Sequence, residues 1–231
     1  MPLEELIVAR GRLADQACDA LRTAILDGSL TPGHPLSVPE LARSLGISRS
    51  PVHQAVQRLV AAGLANEVPH KGAVVAEYGL RDLYEVNELR LALESLAARL
   101  AAGRLGGGDR RALELHLAAH RQAVTAGDTE GYVAADNAFH AAICRASGNS
   151  RLVESLERLL HQRLLTHHTA ARVGGRMAEA HEEHQEIAQA LFGGDPEAAE
   201  NAMRRHIQGV LTVLEERTTL QDGLKPYPSS L

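Results

Sequence analysis

Four side chains in the second half of the chain have the types and spacing of metal ligands: Asp136, His140, His184 and His206. Asp136 and His140 are four residues apart, so on a helix they lie one above the other and can converge on one point. Each of the three histidines stands among apolar residues at helical spacing, which predicts that its ring faces inward. Three neutral imidazoles and one carboxylate suit a borderline divalent ion such as zinc, nickel or manganese.

The alternative is that each histidine is a core residue that is hydrogen-bonded to the backbone or to a neighbour. A buried carboxylate needs a cation or several donors, because burial without a partner is costly. The pairing of Asp136 with His140 therefore favours a metal site over three structural histidines. Four protein ligands on a six-coordinate ion would leave positions open for water or for a carboxylate of a small molecule.

Long amphipathic helices must carry these ligands. The aromatic share is only 3%, with no Trp, which favours a mostly α protein. Gly, Asp or Asn at the joints and apolar periodicity predict an antiparallel bundle followed by a frayed tail at 218–231. The six predicted helices span about 80–103, 109–126, 129–147, 150–171, 176–192 and 196–217.

Residues 1–77 have shorter elements and form a separate predicted domain, joined to the bundle by a linker at 78–79. A first helix covers Leu13 to Leu26, and a second begins at a capping box of Ser37 and Glu40. A third helix starts at Ser48 or Ser50, after a turn that contains glycine.

Two β-like runs, Leu64–Val68 and Ala73–Ala76, follow the third helix and predict a hairpin whose tip is basic. Two helices joined by a short turn, followed by a hairpin, are typical of a winged helix-turn-helix domain. From spacing alone, an ordinary small helical subdomain is the alternative.

Five short segments of this region occur in a known order with the expected gaps: Ile25–Gly33, Glu40–Ala42, Leu45–Val52, Arg58–Leu59 and Gly63–Leu64. They resemble the N-terminal domain of GntR-family transcriptional regulators. The resemblance implies that the third helix enters the major groove of DNA, with Arg49 reading guanine and Gly72 of the wing approaching the minor groove. A guanidinium at a helix N-terminus can pair bidentately with O6 and N7 of guanine.

Ser48 and Ser50 can hold phosphates beside this arginine, and further phosphate contacts come from other basic residues. The chain carries His53-Gln54 where family members usually have Arg-Glu, and a histidine has little charge at neutral pH. Affinity or operator preference is therefore expected to differ from that of the family. The candidate DNA contacts are Arg43, Ser48, Arg49, Ser50, His53, Arg58, Lys71 and Gly72.

The bundle carries a second set of ordered segments: Asp136-x-x-x-His140 before Gly148-Asn149, Glu183-His184 before Gly194-Asp195, and Met203-x-x-His206-Ile207. These are similar to the FCD ligand-binding domain of the FadR subfamily, and six helices suggest its VanR-like variety. The resemblance implies a dimerising domain that binds small organic acids and changes operator affinity. Metal-bearing members use an Asp and three His at these positions.

Arg90 matches an arginine of that family which can face the cavity, so it is a candidate for pairing with the carboxylate of an effector. The alternative is an ion pair with Glu94, four residues further along the same helix. His167, His168 and His181 either line the pocket or are exposed.

These features predict a homodimeric, effector-responsive regulator that binds a two-fold symmetric site on double-stranded DNA. A helical-bundle metalloenzyme is one alternative, although no histidine of the predicted bundle has Glu three residues before it, as di-iron bundles require. A constitutive DNA-binding protein with structural histidines is the other.

Composition limits the cellular setting. The net charge of −5 argues against a chain that coats nucleic acid indiscriminately, so a DNA-binding face must come from placement of charges. Cys18 and Cys144 are far apart, which makes a disulfide framework improbable. No apolar run approaches the roughly 20 residues that span a bilayer, so we expect a soluble, cytoplasmic protein without membrane contact.

Overall fold

The computed structural model describes residues 3–69, 72–165 and 176–222. The chain divides into two compact units, Met1–Tyr78 and Gly79–Leu231. Each unit has its own apolar core, and each is described separately below.

The N-terminal unit contains three helices. They are α1 (Leu3–Leu26), α2 (Val38–Leu45) and α3 (Arg49–Ala61), so the first begins ten residues earlier than the sequence predicted. Gly46 ends α2 with φ of 66°, a left-handed conformation that glycine adopts without a steric penalty. Both α1 and α2 pack on α3, whose inward face buries Val52, Ala55 and Leu59.

The predicted hairpin is present as β1 (Ala65–Val68) and β2 (Gly72–Val75), which pair antiparallel from Ala65–Val75 to Val68–Gly72. The segment before α2 lies along the outer edge of β2, where the N–H of Leu36 donates to the carbonyl of Ala73 at 2.8 Å. This hydrogen bond connects the wing to the segment before α2, and the helices and hairpin together form a winged helix-turn-helix unit.

The capping box predicted at the start of α2 is wrong. Ser37 occupies the N-cap position, but its side chain makes no capping hydrogen bond. A serine hydroxyl at the N-cap can reach the backbone N–H of the second or third helical residue. Pro39 is the second residue and has no N–H, so one of the two possible donors is missing.

The C-terminal unit is a bundle of helices. Within the described ranges these are α4 (Leu80–Ala102), α5 (Gly107–Ala126), α6 (Thr129–Ala146), α7 (Ser150–Leu165), α8 (Met177–Gly193) and α9 (Pro196–Asp222). Helix α4 packs against α6, α7, α8 and α9, and α5 packs against α6 and α8. Helix α4 is therefore the central element of the bundle.

Helix boundaries differ from the sequence prediction at two places. Helix α5 begins two residues earlier because Asp109 Oδ2 accepts the N–H of Gly106 at 3.0 Å, which satisfies a free amide of the first turn. Helix α9 continues to Asp222, into the region that was expected to fray. The end of the helix predicted at 150–171 and the tail at 223–231 lie outside the described residues.

The bundle core is mostly aliphatic, with Phe139, Ile143, Leu156, Ile187 and Met203 fully or almost fully buried. Charged and polar side chains interrupt it on one side, and these form the site described next. No helix among the described residues is long and apolar enough to cross a membrane.

Candidate metal centre and DNA-binding face

The four predicted metal ligands lie together inside the bundle. Asp136 and His140 come from α6, His184 from α8 and His206 from α9, and one potential ligand atom from each lies within 4.8 Å of all the others. All four residues are buried, with at most 3% of their surface exposed. Helical packing therefore brings together polar groups that are up to 70 residues apart in sequence.

The Nε2 atoms of the three histidines face one another. His184 Nε2 is 3.2 Å from His140 Nε2 and 3.3 Å from His206 Nε2. Asp136 Oδ1 lies 3.5 Å from His184 Nε2 and 3.7 Å from His140 Nε2. Ligand atoms bound tetrahedrally to zinc at about 2.0–2.1 Å are about 3.3 Å from one another, so these separations fit a shared ion.

A carboxylate on the opposite side of His140 determines which of its nitrogens faces the centre. Glu94 Oε2 of α4 is 2.5 Å from His140 Nδ1, and Glu94 Oε1 is 2.5 Å from Nε of Arg90. Burial would raise the pKa of Glu94, but Arg90 and His140 hold it below its usual range. The ionised carboxylate favours a proton on Nδ1, which leaves the lone pair of Nε2 directed at the centre.

A second carboxylate does the same for His206. Glu183 Oε2, at the partly exposed edge of α8, is 2.7 Å from His206 Nδ1. Its other oxygen accepts a hydrogen bond from Nη2 of Arg176. Two of the three imidazoles therefore direct an Nε2 lone pair towards His184. Because His184 Nε2 carries at most one proton, it can donate a hydrogen bond to only one of these two lone pairs. A cation at the centre could accept the Nε2 lone pairs of all three histidines.

Burial favours the neutral form of His184 and His206, which is the form that a metal requires. Burial lowers the pKa of His184 well below its ordinary value, and the nearby His206 lowers it further. Burial also lowers the pKa of His206, although the hydrogen bond to Glu183 opposes this. Protons therefore compete less with a metal for these two rings than for an exposed histidine.

A buried pair of histidines behind the centre was not found by the sequence analysis. His120 of α5 is fully buried, its Nδ1 lies 3.0 Å from His181 Nδ1, and its ring centroid is 4.8 Å from that of His184. Burial lowers the pKa of His120 to about 4. His181, which was expected either to line a pocket or to be exposed, is 9% exposed; His167 and His168 lie outside the described residues.

In the structure, Arg90 forms the ion pair with Glu94 that the sequence analysis gave as the alternative to effector binding. Its surface is 1% exposed, its Nε pairs with Glu94, and its Nη1 donates to Oδ1 of Asn87 at 2.8 Å. In this arrangement Arg90 holds the carboxylate that orients His140.

The DNA-binding candidates lie on the exposed side of the N-terminal unit. Helix α3 buries Val52, Ala55, Val56 and Leu59 on its inward face, as its periodicity predicted. The polar residues between them are exposed, namely His53, Gln54, Gln57 and Arg58. Ser48 is the N-cap of α3, so its neighbour Arg49 stands at the first helical position. Of the candidates, the described and exposed ones are Arg43, Ser48, Arg49, Ser50, His53, Arg58 and Gly72.

Arg58 differs from Arg43 and Arg49, the other described arginines among the candidates, because its guanidinium forms an ion pair with Asp15 of α1. This contact directs it towards the first helix and satisfies its charge within the protein. Gly72 begins β2 with φ of 84° and has open space where a side chain would be. Lys71, the basic residue of the wing tip, lies outside the described residues.

A groove of about 750 Å³ runs between α3 and the wing. His53 and Gln57 of α3 line one wall, and Glu67 of β1 lines the other. The amide of Gln57 donates to Glu67 Oε1 at 2.9 Å. This contact links the helix to the wing and holds a carboxylate on a face where phosphates are expected to bind.

Comparison with known proteins agrees with both halves of this description. Residues 13–75 match the bacterial regulatory proteins of the gntR family, and residues 85–209 match the FCD domain. The chain belongs to the GntR family of regulators that carry an FCD domain. It is therefore a DNA-binding transcriptional regulator and not an enzyme.

The relatives include a protein of Paenarthrobacter nicotinovorans named "Probable D-xylose utilization operon transcriptional repressor". It is 32% identical over 206 residues, which cover 88% of this chain and 89% of that protein. Among solved structures, McbR/YncC of Escherichia coli has a TM-score of 0.75 at 28% identity and covers 89% of this chain and 98% of its own. A GntR transcriptional regulator from Rhodococcus sp. RHA1 has a TM-score of 0.71 at 25% identity, with 87% and 96% covered.

Membership in the GntR family gives the two units distinct tasks. The winged helix-turn-helix unit of this GntR regulator carries the DNA-binding surface. The FCD unit carries the buried Asp–His cluster. The sequence analysis predicted the four residues of the cluster, but it predicted neither the contact of Glu183 with Arg176 and His206 nor the neighbouring pair of His120 and His181.

Proposed function

We propose that this GntR-family regulator senses a small organic acid at a metal centre and changes its affinity for operator DNA in response. The metal would be held by Asp136 Oδ1 and by Nε2 of His140, His184 and His206. The observation that carries the proposal is the approach of His184 Nε2 to Nε2 of His140 at 3.2 Å and of His206 at 3.3 Å. Carboxylates contact the Nδ1 atoms of His140 and His206 at the same time.

The donor set limits the ion. Nitrogen and oxygen ligands without thiolate suit zinc, nickel or manganese, and zinc accepts three imidazoles and a carboxylate without a preferred d-electron geometry. An ion that takes more than these four ligands, as a six-coordinate ion or an expanded zinc ion does, would act as a Lewis acid and attract a carboxylate to the added position. A small carboxylate is therefore the effector class that this centre favours.

The protein would bind DNA as a homodimer, because a two-fold symmetric operator presents two equivalent half-sites. Arg49 is proposed to read guanine, while Arg43, Ser48 and Ser50 hold phosphates and His53 contacts phosphate or base. Gly72 and Lys71 would bring the wing to the minor groove. The dimer would have one arrangement that binds DNA and one that does not. An effector can shift DNA affinity only as far as its own affinities for these two arrangements differ.

Metal content and DNA binding can be measured on the same preparation. We would determine bound metal by elemental analysis, then measure anisotropy of labelled DNA from beside the gene, with scrambled DNA as competitor. Organic acids would be added to metal-loaded and chelated protein. The proposal expects one ion per chain and an acid-dependent change in DNA affinity that chelation abolishes.

His206→Ala and His116→Ala form a matched pair for this assay. The first removes a ligand, and the second removes a partly exposed histidine of α5 that has no place in the cluster. The acid response should disappear in the first variant and persist in the second. Specific DNA binding with no metal and no acid response in the wild type would instead identify a constitutive DNA-binding protein with structural histidines.

A further inference from the structure

Each of two histidines in the centre is held by a carboxylate, and each carboxylate is held by an arginine. In the first relay Arg90 pairs with Glu94, which contacts His140, and both charged side chains are almost fully buried. In the second relay Arg176 pairs with Glu183, which contacts His206. The side chains of Arg176 and Glu183 are 21% and 26% exposed, so this relay reaches the protein surface.

Both oxygens of Glu183 are occupied in the second relay. Oε2 accepts from His206 Nδ1 at 2.7 Å, and Oε1 accepts from Arg176 Nη2. Nε of Arg176 donates in addition to Glu179 Oε2 at 3.2 Å. The guanidinium plane is therefore fixed at two nitrogens, and the orientation of the Glu183 carboxylate follows from it.

The guanidinium of Arg176 lies against α9 at Gly209, three residues after His206 and on the same face of the helix. A Cβ atom at Gly209 would lie 2.5 Å from Nη1, 2.7 Å from Nη2 and 2.9 Å from Cζ of Arg176. Side chains do not approach so closely, so any other residue at this position displaces the guanidinium. Glycine in the middle of a helix is otherwise unfavourable, and here the guanidinium occupies the space that it leaves.

We propose that Arg176 is a positioning residue of the metal centre, which acts through Glu183 to orient His206, and that Gly209 provides the space for its guanidinium. The inference rests on the proposed metal site. Residues that orient metal ligands commonly contribute 10–100-fold to metal affinity, roughly, because they fix the tautomer and direction of the ligand. Neither Arg176 nor Gly209 would bind the ion itself.

The test measures the affinity of full-length protein for Zn²⁺ alone, by competition with a chelator of known affinity. Arg176→Gln and Gly209→Ala are each expected to weaken binding by about 10–100-fold. Gly209→Ala changes no charge and no ligand and favours the helix, so reduced affinity cannot come from loss of α9. The two substitutions combined should weaken binding no more than Arg176→Gln alone, because the space is already vacated.

A cross-helix ion pair nearby supplies the control. Arg205 of α9 pairs with Glu186 of α8 at 3.1 Å, with both side chains exposed by more than half. Arg205→Gln removes an arginine from the same pair of helices without touching the relay, and it should leave zinc affinity unchanged. Thermal melts in chelator would establish that every variant is folded.

The variant Glu183→Gln tests whether Arg176 affects His206 through Glu183. If Arg176 acts through Glu183, Arg176→Gln has no further effect in the Glu183→Gln background. The absorption spectrum of the Co²⁺-loaded protein should change in the same way in both variants, since both release His206. Zinc binding that fails in the wild type would refute the proposed metal centre. Normal binding by wild type, Arg176→Gln and Gly209→Ala would refute only this inference.

Discussion

Substitution of Glu94 by glutamine tests how much the bundle depends on its buried ion pair. Glu94 lies between Arg90 Nε and His140 Nδ1, each at 2.5 Å, and it is almost completely buried. Because Arg90 and His140 hold its pKa below the usual range, the carboxylate is charged at neutral pH. Glutamine has the same shape, so the substitution removes one charge and creates no cavity.

The expected loss of stability comes from the buried charge of Arg90, which remains after the substitution. Arg90 is 1% exposed, so Glu94→Gln leaves its guanidinium charge in the core without the carboxylate that contacts its Nε. The neutral Oδ1 of Asn87 remains as an acceptor for Nη1. Removal of one partner from a buried ion pair destabilises proteins by about 3–5 kcal/mol. We expect the metal-free bundle to lose about this much free energy of unfolding.

The measurement is urea denaturation followed by circular dichroism in the presence of chelator. Glu114→Gln is the matched control, because Arg110 and Glu114 form a pair of the same i, i+4 spacing with both side chains 54% exposed. Exposed pairs contribute about 0–1 kcal/mol, so this variant should unfold at nearly the wild-type urea concentration. In Arg90→Met/Glu94→Gln the buried charge is gone, and most of the lost stability should return.

Equal unfolding midpoints for Glu94→Gln and Glu114→Gln would refute the reasoning. A loss in Glu94→Gln that Arg90→Met fails to restore would also contradict it. That second result would show that the effect comes from the neutral contacts of Glu94 and not from the charge left on Arg90.

Three further outcomes are expected. Arg49→Gln should weaken binding to the operator about 10–100-fold in anisotropy titrations. Arg58→Gln should weaken binding less, because Arg58 already forms an ion pair with Asp15. Equal losses of DNA affinity in the two variants would contradict these roles. Burial lowers the pKa of His184 and His206 from 6.5, so the folded metal-free chain binds fewer protons than the unfolded chain below that pH. The free energy of unfolding should therefore fall as pH decreases below 6.5, by up to about 1.4 kcal/mol per pH unit and per histidine. The measurement is urea denaturation between pH 7 and pH 5.5. A free energy of unfolding that stays constant over this range would be inconsistent with the prediction. Zinc added to chelated protein should raise the melting temperature by mass action, and no rise at saturating zinc would contradict the metal centre.

Local spacing was enough to locate the residues of the cluster. The four-residue interval between Asp136 and His140, and the apolar neighbours of His184 and His206, predicted four inward-facing groups, and the structure brings them together. The winged helix-turn-helix and the FCD-type bundle were also predicted and are confirmed. In each case helical or strand periodicity alone determines which side is buried.

The partners of these residues depend on tertiary packing and could not be predicted from sequence. Glu183 meets His206 across two helices, and His120 meets His181 over a separation of 61 residues. Arg58 was expected to contact phosphate, but its ion pair with Asp15 requires α1 and α3 to pack side by side. Such pairings have no local signal, because they depend on which helices become neighbours.

The proposed ligands are distributed over α6, α8 and α9, so the radius of a bound ion would affect the spacing of these helices. No ligand lies on a loop that could adjust by itself, so a longer metal–ligand bond must be accommodated by sliding or separating whole helices. Bonds to calcium exceed those to zinc by about 0.3–0.5 Å. An ion of that size in the proposed site would push the ligands further apart, so the spacing of the three helices would depend on which metal is bound.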